Sequence, residues 1–202
     1  LGTPLIGYSI QAALNSKLFD KIHISSDNKK ILNFANKLGV KTDFIRPNRL
    51  SNDNTSLAPV LKYVVDEYFK MGIEYEEVWL IYATNPFVNE TIIKKCSKKF
   101  IKEKSRKPLI TVSEYNYPPE WAQYTNLQNL LVPINKKRLK TRSQDLRKSF
   151  CDAGMINIYP SSVFYKNIKN IKYTPFVLPV WKSIDIDYLS DFKLAEQLMS
   201  VQ

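Results

Sequence analysis

Ser183-Ile184-Asp185-Ile186-Asp187-Tyr188-Leu189-Ser190-Asp191 is the stretch on which the reading of the fold turns. An apolar run (Phe176, Val177, Leu178, Val180) leads into it, and a helical pattern (Phe192, Leu194, Ala195, Leu198, Met199) leads out. It therefore reads as the exit of a strand and the start of a helix. In extended chain, residues two apart point to the same side. Asp185 and Asp187 then aim together, with Cα atoms roughly 6.6 Å apart at ~3.3 Å rise per residue, while Ile184 and Ile186 face the core. Two hard oxygen ligands so placed suit Mg²⁺, which takes one or two protein carboxylates and fills its other positions with water and phosphate oxygens. A plainer role competes, in which Asp187 or Ser190 caps the helix N-terminus. The stretch alone leaves both open.

Working back towards the start, strands and helices alternate. Thr3 and Pro4 suit the first turn of a helix whose apolar face is Leu5, Ile6, Ile10, Ala13 and Leu14. Residues 21–25 alternate as a strand, and a helix with Ile31, Leu32, Phe34, Ala35 and Leu38 inward ends at Gly39. Residues 40–45 form a short strand stopped by Pro47, and a polar loop over 48–56 leads to a helix running to about Met71. A buried strand over 78–83, a helix from about Asn89 and a strand over 109–112 follow. Later come a strand over 155–159, a helical turn over 161–165, and the last strand and helix from Val177. This tempo predicts an α/β fold of three layers, a mostly parallel sheet with helices on both faces. Ligands then sit beyond the carboxyl ends of the strands, which gathers Ser26-Asp27, Arg46, Thr84-Asn85, Glu114-Tyr115 and the Asp185/Asp187 pair into one neighbourhood. Only the section 116–150 breaks the rhythm, with Tyr117, Trp121 and Tyr124 followed by the basic group Lys136, Lys137, Arg138, Lys140 and Arg142. Irregular segments of such length are usually functional lids or interaction arms.

The composition narrows the chemistry. A chain of 202 residues is one domain, 44% hydrophobic, with no apolar run long enough to span a membrane. Two cysteines (Cys96, Cys151) without a Cys-x-x-Cys pairing point to a reducing, cytoplasmic setting. With one histidine, an ordinary tetrahedral zinc site is excluded, and a hard cation on carboxylates is the metal to expect. His23 and Ser25 share a strand face but lack a third partner, so His23 reads as a strand residue with a satisfied ring. The net charge of +11 raises the alternative of a basic nucleic-acid-binding module. The lysines are spread, however, and their densest run, 94–107, is a helix with a wet face over a stripe of Ile92, Ile93, Cys96, Phe100 and Ile101. A solvated surface with a field favouring an anionic substrate is the reading kept, with no nucleic acid and no membrane as partner.

Seven segments, in order along the chain, carry a resemblance. They are Gly2-Thr3-Pro4-Leu5-Ile6, Ile24-Ser25-Ser26-Asp27, Phe44-Ile45-Arg46-Pro47 with Leu50-Ser51-Asn52-Asp53-Asn54-Thr55, Ile81-Tyr82-Ala83-Thr84-Asn85-Pro86-Phe87, Thr141-Arg142-Ser143-Gln144-Asp145-Leu146, Asp152-Ala153-Gly154 and Asp185-Ile186-Asp187. Together the chain resembles the sugar-nucleotide cytidylyltransferases of the sialic-acid type, and within them the pseudaminic branch. The resemblance implies a Rossmann-like nucleotide-diphospho-sugar transferase fold. It also implies an enzyme that joins CMP from CTP to a nine-carbon acidic (nonulosonic) sugar for surface glycan or flagellin glycosylation, releasing pyrophosphate. Sialic and legionaminic acids are the alternative sugars.

By the same resemblance, Asp185 and Asp187 are the metal-binding and catalytic pair for Mg²⁺. Arg46 lies beside the cytosine, Asp53 and Thr55 approach the ribose, and Thr84 contacts nucleotide or sugar. Each has a plainer alternative: Arg46 as a turn-fixing surface residue, Asp53 and Thr55 as helix caps. Tyr82 stands where the sialic enzymes tend to carry glutamine, and so favours pseudaminic acid. Arg142 and Gln144 reach the sugar acid, a guanidinium being shaped to clamp a carboxylate, and Asp152 belongs to the sugar side. Cys151 stands where the pseudaminic branch leads one to expect histidine, and it receives no catalytic role. The arm at about 116–150 implies a homodimer.

One departure is marked. The family opens with a strand and a basic glycine-rich loop of the form Arg-x-Gly-Ser-Lys, and nothing corresponds to it in a chain that starts at Leu1 and whose five glycines are isolated. The expectation is a domain lacking its first strand, an N-terminally truncated and inactive fragment.

Overall fold

A computed structural model describes residues 2–104, 106–166 and 171–201. Among these residues there are six α-helices and six strands: α1 Leu5–Ser16, α2 Lys29–Lys37, α3 Leu57–Lys70, β1 Glu77–Ile81, α4 Glu90–Lys102, β2 Leu109–Glu114, β3 Gln123–Thr125, β4 Leu131–Pro133, β5 Phe150–Pro160, α5 Ser162–Tyr165, β6 Thr174–Leu178 and α6 Leu189–Ser200. The caps follow local chemistry. Asn28 and Asn89 accept backbone N–H groups of Lys30 and Ile92 at the starts of α2 and α4. Thr3 makes no such bond, and Pro4 occupies the cap of α1. Gly39 closes the turn after α2 with φ +87°, as its position predicts.

The main sheet has the order β1-β5-β2-β6. β2 and β6 are parallel, and β5 runs antiparallel to both of its neighbours. Three of the four strands therefore share a direction, and one is reversed. The reversal follows from connectivity, because β5 is reached through the irregular arm rather than through a crossover helix. α4 packs Ile92, Ile93, Cys96 and Phe100 onto Leu109, Met155, Ile156 and Ile158, all buried, to make the larger core. A second cluster holds Ile10, Ile24, Leu32, Ala35 and Val40 between α1, α2 and the extended residues 22–25.

The segments 21–25 and 40–45, read as strands in the sequence, run outside any ladder. Among the described residues, the backbone of Ile22–Ser25 has no backbone hydrogen-bond partner, and the first such contact is Arg46 N–H to Ser26 O at 3.1 Å. Beside them, β1 is paired only with β5. The arm is less irregular than its composition suggests. β3 and β4 form a small hairpin, and Trp121 Nε1 ties the arm to Thr141 O at 2.9 Å.

Candidate active site

The register of β2 on β5 shifts between Ile110, opposite Asn157, and Val112, opposite Asp152. This is a bulge, which bends a strand and re-aims its side chains. Thr111 pins it: its buried hydroxyl donates to Ile156 O at 3.0 Å and accepts from Ile156 N–H at 2.9 Å. Within the bulge Gly154 adopts φ +54°, and a Cβ built there would lie 2.5 Å from Asp185 Oδ2 and 2.7 Å from its Cγ. Glycine alone leaves that space. Gly154 N–H also donates to Asp152 Oδ1 at 2.9 Å. Asp152 and Asp185, far apart in sequence, thus meet around one glycine.

The stretch that opens the sequence reading behaves as alternation predicts. Ile184 and Ile186 pack on the core while Asp185 and Asp187 are exposed. Ile186 N–H donates to Thr84 O at 3.0 Å, which fixes the segment against the end of β1. The competing role as a cap falls to a different residue. Asp191 Oδ2 accepts the backbone N–H groups of Asp187 and Tyr188, at 3.2 and 2.8 Å. The Asp187 carboxylate is left with no part in the cap.

Asn85, fully buried, is the bolt between these pieces. Its Nδ2 donates to Ala153 O and Lys182 O, both at 3.0 Å, and its Oδ1 accepts from Phe87 N–H at 3.1 Å. One amide thereby holds the loop after β1, the β5 bulge and the segment before Asp185 in register.

Further along β5, two tyrosine hydroxyls converge on one amide. Asn157 Nδ2 donates to Tyr82 Oη at 3.2 Å and to Tyr159 Oη at 3.3 Å, and the buried Asn157 Oδ1 has no partner. Burial, and next the charge of Asp152, push the Tyr82 hydroxyl well above its ordinary range, so it remains a neutral donor.

The profile of the cytidylyltransferase family matches residues 1–197. The chain belongs to that family. Pseudaminic acid cytidylyltransferase of Campylobacter jejuni subsp. jejuni serotype O:2 is 37% identical over 203 residues, covering 100% of this chain and 87% of the relative. A CMP-N,N'-diacetyllegionaminic acid synthase of Legionella pneumophila is 29% identical, covering 99% and 87%. Among solved structures, CMP:2-keto-3-deoxy-manno-octonic acid synthetase complexed with CTP superposes with a TM-score of 0.69 at 13% identity, covering 99% of this chain and 89% of that one. The 4-diphosphocytidyl-2C-methyl-D-erythritol synthase of Anaerococcus prevotii gives 0.62 at 11% identity, covering 98% and 90%. At these identities the two structures establish the Rossmann-like nucleotidyltransferase fold.

Within this cytidylyltransferase, Arg46 is prepositioned: its Nε donates to Ser51 Oγ at 3.1 Å, and an Nη lies 3.7 Å from Asp27 Oδ1. The outer edge of its fork remains available. Asp53 is exposed, and Thr55 donates to Asn52 Oδ1 at 3.0 Å within the loop, so neither caps α3, whose N-cap is Ser56. Arg142 and Gln144 belong to the arm. Both are exposed on the arm, and Arg142 is held by Asp145 at 2.9 Å. Among the described residues no hydrogen bond joins either to Asp152 or Asp185.

His23 corrects its sequence reading. Tyr68 Oη donates to Asp43 Oδ2 at 2.6 Å, so the 3.1 Å contact between Tyr68 Oη and His23 Nδ1 has the ring donating. Its Nε2 lone pair is then buried without a partner. The ring is half satisfied, which the alternation of residues 21–25 could not reveal.

Asn157 and Tyr159 escape the sequence reading, and so does the bolting role of Asn85. Asn85 sat in a quoted motif, but burial with three bonds is a tertiary fact. Asn157 leaves one trace in sequence, a polar residue inside the apolar run 155–158.

The donor set fits a hard cation. Asp185 and Asp187 offer oxygen ligands on one exposed face, and none of the ion pairs among the described residues uses Asp152, Asp185 or Asp187. Unpaired carboxylates in a chain of net charge +11 are a place for a cation. No group of three or more His, Cys, Asp or Glu that could hold a metal occurs among the described residues. The pair matches Mg²⁺, which keeps most of its shell for water and phosphate.

Proposed function

We propose that this cytidylyltransferase joins CMP from CTP to a nine-carbon acidic sugar of the pseudaminic type and releases pyrophosphate. The observation that carries the reading is the packing of Asp185 on Gly154, with the charges of Asp152 and Asp185 both felt at the Tyr82 hydroxyl. The identity of 37% over the whole chain with pseudaminic acid cytidylyltransferases supports the choice of sugar. Legionaminic acid is the second reading, supported by relatives 29% and 32% identical.

In this reading the anomeric hydroxyl of the sugar attacks the α-phosphorus in line, and the bond to the pyrophosphate oxygen breaks. Such a step needs positioning and charge neutralisation more than covalent participation. Asp185 and Asp187 would hold Mg²⁺, which supplies charge neutralisation for the triphosphate and the departing pyrophosphate. Arg46, fixed by Ser51 and Asp27, directs its remaining donors at the cytosine edge. Asp53 and Thr55 face the ribose, and Thr84 borders both substrates. Tyr82 and Asp152 meet the sugar, with Tyr82 donating from a hydroxyl kept neutral by burial. Arg142 and Gln144 complete the grip on the sugar carboxylate once the arm comes over the site.

The same reading includes a homodimer formed through the arm, whose Leu127, Leu130, Leu131 and Ile134 are strongly exposed. Both cysteines are free, in keeping with work in a reducing cytoplasm. The test is pyrophosphate release from CTP and Mg²⁺ with pseudaminic, legionaminic and sialic acids compared side by side. A kcat/KM at least tenfold higher for pseudaminic acid is expected. A preference for either other sugar overturns the choice of sugar, and sugar-independent release overturns the reaction.

A further inference from the structure

Arg46 is delivered by a segment with no backbone bonds of its own. Val40 N–H bonds to Ala35 O at 3.0 Å and Arg46 N–H to Ser26 O at 3.1 Å, but among the described residues 41–45 make no backbone hydrogen bond. Between those two points the moorings are side chains. The Phe44 ring packs on His23, with centroids 4.3 Å apart, and edgewise on Tyr68 at 5.2 Å and Tyr63 at 5.8 Å. Asp43 accepts from the Tyr68 hydroxyl at 2.6 Å and pairs with Lys21. Tyr68 lies in the last turn of α3 and is buried.

The two bonds on Asp43 are not equal. Both members of the Lys21–Asp43 pair are partly exposed, where an ion pair is screened and contributes little. The Tyr68 hydroxyl is buried and its capacity is used in one direction. It gives its proton to the charged Asp43 and accepts one from the His23 ring at 3.1 Å. A polar chain therefore runs from His23, through α3, to Asp43. Asp43 and Tyr68 are 25 positions apart, and the loop they close carries Arg46, Asp53 and Thr55, the residues assigned above to cytosine and ribose. A bond at the neck of such a loop removes freedom that the few bonds inside it leave. We infer that Tyr68 is a positioning residue for the nucleotide, its hydroxyl fixing the path of residues 43–46 and with it the direction of the Arg46 fork. It acts through Asp43 and not on the substrate, and the inference rests on the reading of Arg46 as the partner of cytosine.

Tyr68→Phe keeps the ring among His23, Phe44 and Tyr75 and removes only the hydroxyl. Two measurements follow it: amide hydrogen exchange resolved by NMR, and calorimetric titration with CTP and UTP in turn. The Arg46 amide is expected to exchange about tenfold faster, with the amides of α4 and β5 unchanged. The preference for CTP over UTP is expected to fall about tenfold, because a loosened fork no longer reads the base edge. Asp43→Asn keeps an acceptor for Tyr68 while losing the charge opposite Lys21, and should match the unaltered chain on both measures. Asp43→Leu should reproduce Tyr68→Phe, and the double variant should be no worse than either alone; should Tyr68→Phe fail to fold, Asp43→Leu at its partly exposed position carries the same test. Unchanged exchange at Arg46 overturns the inference, as does acceleration spread evenly over α4 and β5, which marks a merely structural tyrosine. Asp43→Asn as damaging as Asp43→Leu assigns the work to the Lys21 pair and equally overturns it. An unaltered chain that binds CTP and UTP alike overturns the function proposed above, and the exchange of the Arg46 amide still decides whether Tyr68 sets that segment.

Discussion

The Asp185 carboxylate rests on the α-carbon of Gly154, in the space that any other residue's side chain would fill. The contact joins the interior of β5 to the segment between β6 and α6, thirty-one positions apart in sequence (185 − 154). It also makes a glycine as consequential for the proposed metal site as the acid it supports.

Gly154→Ala therefore tests the acid through its seat. The added methyl would meet Asp185 Oδ2 at 2.5 Å, in a backbone conformation that alanine adopts at a cost of roughly 1–2 kcal/mol. The expected outcome is a fall in kcat of about a hundredfold and a raised Mg²⁺ requirement, with a melting temperature lower by several degrees. Steady-state kinetics across a Mg²⁺ titration measure both.

Asp185→Asn and Asp187→Asn separate from Asp191→Ala. The first two remove proposed metal ligands and should lower CMP-sugar formation by two orders of magnitude or more, about 3 kcal/mol of transition-state stabilisation. Asp191→Ala removes the acceptor at the start of α6 and should cost about 1 kcal/mol of stability with much smaller kinetic effect. Near-normal turnover by Asp187→Asn would withdraw it from the metal pair.

Asn157→Leu leaves Tyr82 and Tyr159 without their shared donor while keeping the volume close to the original. KM for the sugar should rise about tenfold with KM for CTP unchanged. Tyr82→Phe should act the same way. Initial-rate measurements with each substrate varied in turn distinguish this from a general loss of fold.

Acid sensitivity should trace to His23. Burial pushes its ring from the ordinary 6.5 down to about 4, with the Asp43 charge acting in the opposite direction. Above pH 6.5 the folded and unfolded chains both hold it neutral, and it contributes nothing to the pH dependence. Between pH 6.5 and about 4 the unfolded chain takes up a proton that the folded one refuses, so stability falls by roughly 2–3 kcal/mol and then levels off. Asp43, held below the usual carboxylate range first by its bond from Lys21, adds a further loss at lower pH. Urea denaturation of His23→Gln should show a flatter profile across that window.

Much of this was legible from residue order. The alternation Ile184-Asp185-Ile186-Asp187 declared which side chains face the core, and helical spacing placed α1 to α4 and α6 within a few residues. Two kinds of feature were not legible. Pairing partners depend on what lies alongside, so residues 21–25 read as a strand from local pattern yet join no ladder. The reversed direction of β5 is likewise a property of the path through the arm. Asn85 and Asn157 act through burial, which a single sequence does not print. Arg142 and Gln144 matched a motif, but exposed side chains on an arm take their partners from what the arm meets, which residue order does not state.

The Thr111 hydroxyl, standing in for a ladder bond at the β5 bulge, has a consequence for divergence. One side chain sets the phase of that strand on both sides of the bulge. A change at residue 111 would therefore disturb the sugar-facing Asp152 and Asn157 together, which makes this buried hydroxyl a narrow point for divergence.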